Sequence, residues 1–266
     1  MTMGNLLRIE WLKIRKYRTF WVLMGLFVFS FPGASYIFYY LQTQIPRQGR
    51  RLLNARHYFQ FPDIWQSAAW LGSFTLVLLG MLVITLITNE FVFRTHRQNI
   101  IDGWNRMQFI TAKWSMVVIF ALIATLCLIL TALTFGLLTA DQLYLSDILE
   151  SSRMIWFFFV QSLAYLSVAF LFGILFKRAG LAIGLFFLYA LILEKVIFVL
   201  INHFIGPYGK FLPLETTNHL IPSPLLRAIP GLKPDNTNPY IYFVLALIYI
   251  LLFVFITVRQ MRKADL

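Results

Sequence analysis

The stretch THRQNIIDGWNRMQFITAK, Thr95 to Lys113, decides how this chain folds, because it is a polar interval with helix-start signals set between two long apolar runs. Thr95 followed by Gln98 is a capping-box pattern, in which each side chain satisfies a free backbone N–H at a helix start. Gly103 supplies a stop about two turns later, so the spacing predicts a short helix over residues 95–103. Asn105 and Gln108 repeat the box, with Trp104 and Phe109 placed as a hydrophobic staple, and apolar sequence follows without a break. A second helix is therefore expected to begin outside a membrane and continue into it. A stubby, charged helix held between two membrane spans is suited to receive mechanical force from a soluble partner.

Composition supports a membrane setting. Of the 266 residues 59% are hydrophobic, 17% aromatic and only 13% charged, with a mean hydropathy of +0.73. A soluble protein of this length has too little interior for so much apolar surface. Six runs stand out: Phe20–Leu41, Ala68–Thr88, Trp114–Leu138, Met154–Phe176, Leu181–Ile201 and Tyr240–Val258. Each is close to the ~20 residues that cross a ~30 Å hydrocarbon core as a helix. They are too long and too uniformly apolar for barrel strands. The expected fold is an all-α polytopic membrane protein, a single membrane domain over residues 1–266 with six transmembrane helices.

Six spans put both termini on one side. Fourteen basic residues fall on that side, including Arg8, Lys13, Arg15, Lys16, Arg18, Arg97, Arg106 and Lys113, against eight in the opposite loops. The positive-inside bias then makes both termini cytoplasmic. Arg47, Arg50, Arg51 and Arg56 argue the other way from residues 42–67 without reversing the balance. The net charge of +12 sits where anionic headgroups are expected, which favours membrane lipids over nucleic acid as its partner. The single Cys127 lies in the third span, so neither an intramolecular disulfide nor a cysteine zinc site is available. The first apolar run is longer than a secretory signal core and is read as a retained span.

Residues 1–19 are basic and partly amphipathic. On a helical wheel Leu7, Trp11 and Ile14 fall together, with Arg8, Lys13, Arg15 and Lys16 mainly elsewhere, which suits a helix lying in the interface; Ile9 and Leu12 fall on the basic side, and a positively charged run that only fixes topology is the other reading. Residues 202–239 are interrupted by seven prolines and alternate with apolar pairs. They suit short re-entrant or surface helices over the outer mouth, either as a cap on an exit route or as an ordinary packed loop.

Glu194 and Lys195 interrupt the fifth apolar run. Adjacent helical residues point about 100° apart, so each needs a partner other than its neighbour. Two readings stay open: a polar seam at a subunit interface or substrate path, or a helix end from which both groups snorkel outward. Catalytic patterns are poorly represented. H-E-x-x-H and G-x-S-x-G are absent, the four histidines are scattered, and Glu194 is the lone acid in an apolar run. No catalytic or metal site is therefore assigned, although an intramembrane enzyme or an accessory membrane-assembly protein remains the alternative class. The Walker A pattern is missing as well, so ATP hydrolysis is not expected in this chain.

The chain resembles the permease subunits of ABC exporters of the second export class, the type V transporter fold. The resemblance rests on Asn89-Glu90-Phe91, on Arg97 to Gly103, and on Arg106, Phe109 and Lys113. It extends to Glu10-Trp11-Leu12-Lys13, the six-span layout and the long loop before the last span. It implies a compact bacterial half-permease in the plasma membrane that pairs with a second copy of itself in a homodimer. Two copies of a separate ABC ATPase, carrying ATP and magnesium, are implied at the cytoplasmic side. It also implies that the pre-span helix, with Trp11, Lys13, Arg15 and Lys16, is an elbow helix. Thr95 to Gly103 is implied as a coupling helix, with Glu90, Thr95, Arg97, Gln98, Ile101, Asp102, Gly103 and Arg106 as the residues of ATPase coupling.

Overall fold

The computed structural model describes residues 3–44, 58–93, 95, 105–140, 144–225 and 237–263, and no strand occurs among them. Helix α1 covers Met3–Ile14, α2 Arg18–Gln44, α3 Ile64–Val92 and α4 Arg106–Thr139. A short α5, Leu145–Leu149, precedes α6, Arg153–Phe176. The next span is composite, with α7 at Ala179–Phe187, a π-helical segment at Leu188–Leu193 and α8 at Glu194–Phe204. A 3-10 turn at Gly209–Phe211, α9 at Pro213–Leu220 and α10 at Pro239–Lys263 follow. Six of these stretches are long and apolar enough to cross a membrane, so the all-α, six-span class is established.

Two helices form the centre. The apolar stretch of α3 is 72% buried and that of the fourth span 78%, against 22%, 17% and 22% for the first, fifth and sixth spans. Helix α3 packs on α6, α2, α4 and α7, while α6 also receives α10 and α9. Small residues set this closeness, since lipid-embedded helices gain by van der Waals contact rather than by escaping water. A methyl group added at Gly72 would lie 2.2 Å from the Phe31 ring, and one at Gly80 2.5 Å from the Phe186 ring. Both rings are fully buried.

We call the end of the bundle that carries α1, the start of α4 and the end of α3 the basal face, and the opposite end the distal face. On the distal face the proline-rich segment is described through Leu225. Pro213 opens α9, where its missing N–H costs nothing. Leu214, Leu220 and Ile221 are buried, and Tyr249 donates to the Phe211 carbonyl at 2.7 Å. Gln66 at the start of α3 donates to the Pro222 carbonyl at 2.7 Å. The rest of that loop, 226–236, lies outside the described residues.

On the basal face α1 keeps the expected stripe at Leu7 and Ile14 and departs from it at Trp11. It turns Leu6, Glu10 and Ile14 inward, while Trp11 is 45% exposed. Trp11 instead meets Phe20 and Trp21 edge to face, and Trp21 donates to the Arg15 carbonyl at 2.9 Å. The reason for the inward face is electrostatic: Glu10 has a buried cation waiting on α4.

Candidate functional site

Three helices meet in one cluster of charge at the basal face. Lys113, two turns into α4, places its Nζ 2.5 Å from Glu90 Oε1 at the end of α3 and also donates to Glu10 Oε2 on α1. Lys13 of α1 lies 3.4 Å from Glu90 Oε1 and 3.5 Å from Glu10 Oε1. Thr95 donates its hydroxyl to Glu90 Oε2. The Phe109 ring centroid stands 5.5 Å from Lys113 Nζ, adding a cation–π contact. The Lys113, Glu10 and Glu90 side chains are 7%, 1% and 6% exposed, while Lys13 is 32% exposed.

The formal charges of the four side chains cancel, yet the arrangement is not one that local forces would choose. Glu90 stands in the last turn of α3, where the helix dipole disfavours an anion. Desolvating carboxylates and an ammonium is also costly, and close, hydrogen-bonded geometry only offsets that cost. Such a cluster is therefore weak evidence of net stability. Here it bonds α1, the end of α3 and the start of α4 into one joint.

Helix α4 begins as the sequence requires. The Asn105 side chain accepts from the Gln108 N–H at 2.7 Å, and the Gln108 side chain accepts from the Asn105 N–H at 2.9 Å, a complete capping box. Arg106 is its first residue. Arg97, Gln98, Ile101, Asp102 and Gly103 lie outside the described residues, as does the staple residue Trp104. Of the other sequence-derived residues, Glu90, Thr95 and Lys13 come together in the joint, while Trp11, Arg15 and Lys16 are exposed.

Glu194 and Lys195 lie apart from the joint, toward the distal face. They do not pair with each other. Glu194 is 2% exposed, and its Oε1 accepts from the backbone N–H groups of Leu214 and Glu215 at 2.6 and 3.0 Å, capping the start of α9. A carboxylate at a helix N-terminus meets both free donors and the favourable end of the dipole. Lys195 forms an ion pair with Glu215 on the same short helix. Neither helix termination nor a charge left without a partner is needed to explain them, since both side chains bind α9.

Sequence reasoning missed two features. Nothing local in the sequence joins Glu10, Glu90 and Lys113, and charges at the margins of apolar runs are the available signal. The second is the pair Gln161 and Asn218, where Gln161 donates to Asn218 Oδ1 at 3.1 Å and Tyr165 donates to the same oxygen at 3.0 Å. The signal there is the single Gln in the fourth apolar run.

The architecture defines an integral membrane protein whose helices are tied together at a charged basal face. A family model described as ABC-2 family transporter protein matches residues 6–193, and the chain belongs to that family. It is thus the membrane permease component of an ABC transporter, a component distinct from the ATPase domain and one that associates with an ABC ATPase partner. No curated protein matches the chain at a significant level.

Proposed function

We propose that this permease belongs to an exporter of the bacterial plasma membrane, works as a homodimer with both termini in the cytoplasm, and is driven by two copies of a separate ATPase. ATP and magnesium bind in that ATPase. Residues 95–103 are the coupling element and α1 is the elbow helix. The observation that carries this reading is the joint itself. The segment between Glu90 and Lys113 has its two ends bonded to each other at 2.5 Å and to α1. A push on residues 95–103 when the ATPases close therefore moves the ends of α3 and α4 and the elbow together, rather than splaying them.

The test is to isolate the permease from its native membrane and identify the accompanying ATPase by mass spectrometry, then reconstitute the pair with Ile101→Asp. The expected result is loss of the permease-dependent change in ATPase rate with unchanged thermal unfolding. An unchanged complex with unchanged coupling refutes the assignment of residues 95–103.

A further inference from the structure

Behind the joint lies a cavity of about 170 Å³ whose wall changes character along its depth. At the basal face it is lined by Glu10, Lys13, Glu90 and Lys113; further in come Val83, Leu86, Met116, Val117 and Phe120. From Glu90 back to Val83, and from Lys113 on to Phe120, the helical rise spans about 10 Å. Exposed Trp11 and Trp21 flank the same level, where aromatic side chains mark the membrane–water boundary. The charged rim is thus at headgroup depth and the apolar wall at acyl-chain depth.

One polar atom in the rim is unsatisfied. Glu10 is 1% exposed, its Oε2 is taken by Lys113, and its Oε1 accepts no hydrogen bond among the described residues. Lys13 Nζ stands 3.5 Å from it, without bonding geometry. A buried carboxylate oxygen without a donor is costly, and a ligand N–H would relieve it.

We propose that this cavity binds an amphiphile with a primary ammonium head, which donates to Glu10 Oε1 while its first carbons lie along Val83, Leu86 and Val117. A phosphate beside that ammonium would face Lys13, the more exposed of the two lysines. The source is either an aminophospholipid of the surrounding bilayer or an amine-bearing amphiphile carried as cargo. The site does not depend on the direction of transport, and of residues 95–103 only Thr95 is among its described lining.

The experiment measures binding to the purified permease in phosphatidylglycerol nanodiscs, without ATPase, using three single-chain probes: lysophosphatidylethanolamine, lysophosphatidylcholine and dodecylamine. The ethanolamine lipid is expected to bind about tenfold or more tightly than the choline lipid, whose trimethylammonium carries no N–H. Glu10→Gln should remove that preference. Leu86→Trp, which fills the apolar wall from a partly buried position, should weaken both amine probes while leaving the charges in place. Thermal unfolding of each variant separates lost binding from lost folding. Preference for the ethanolamine lipid over dodecylamine identifies a resident lipid. Equal binding, with amine movement across vesicles of the reconstituted transporter, identifies cargo. Equal affinity for the ethanolamine and choline lipids, or a preference that survives Glu10→Gln in a folded protein, overturns the proposal.

Discussion

Replacing Lys113 with Met takes the cation from two carboxylates at once, and the geometry sets the size of the effect. Glu10 and Glu90 are 1% and 6% exposed at the side chain, so neither can turn to water. Removing one partner of a buried pair costs about 3–5 kcal/mol. Lys13, 3.4 and 3.5 Å from the two carboxylates and 32% exposed, can move inward and compensate in part. That places the expected loss near the lower bound, about 3 kcal/mol. Lys13→Met removes only the longer, more exposed contacts and should cost about 0.2–1 kcal/mol. At about 2–4 °C per kcal/mol for a chain of this size, Lys113→Met lowers the unfolding temperature by roughly 6–12 °C. The single Cys127 offers the readout, since a thiol-reactive dye reports its exposure as the detergent-solubilised protein unfolds. The triple variant Glu10→Gln, Glu90→Gln, Lys113→Met is expected to recover more than half of the loss, because a buried pair replaced as a whole is near neutral. Equal shifts for the two lysine variants, or a triple variant no better than Lys113→Met, refute the reasoning.

Glu194→Leu should lower hydrogen-exchange protection over Leu214–Leu220 selectively, by about 1.5–3 kcal/mol for a charged acceptor of two backbone donors, while membrane insertion persists; the proposed function adds impaired transport or dimerisation, read in reconstituted vesicles. Asn105→Ala removes the capping box and should destabilise the start of α4 by about 0.5–2 kcal/mol, seen as faster exchange at Gln108 and Phe109. Gly80→Val drives Cβ into the buried Phe186 ring and should cost about 1–3 kcal/mol, measured by the same thiol assay. If Thr95 acts through Glu90, Thr95→Val should reduce ATPase coupling more than expression, whereas Thr95→Ser should retain both.

The spans were legible because each is a run of apolar residues without competing pattern, and the start of α4 because the Asn105–Gln108 box is entirely local. Helix lengths were less so. The third span extends from Arg106 rather than Trp114, since a helix can carry polar residues through the headgroup layer without changing its backbone. The joint was beyond local reasoning. Lys113 finds its partners 23 and 103 residues away, and a lysine at the margin of an apolar run reads equally well as a topology signal. The same ambiguity touched α1, where a stripe read from Leu7, Trp11 and Ile14 does not single out Glu10 as an inward-facing charge. Nor does Leu188–Leu193 carry any feature that distinguishes a π turn from an α turn, although that segment precedes the carboxylate that caps α9.

The separation of Glu10 from Lys113 also orders events during synthesis. With 103 residues between them, and elongation at about 5–20 residues per second, Glu10 leaves the ribosome roughly 5–20 s before its cation does. During that interval Glu10 lacks its Lys113 partner, although α1 already has Phe20 and Trp21 beside Trp11, and two spans must enter the bilayer before Lys113 arrives. Had the second span been threaded the wrong way round, Glu90 would stand on the far side of the membrane and the joint could not form. The four charges therefore come together in full only after the first two crossings have been made in the correct sense.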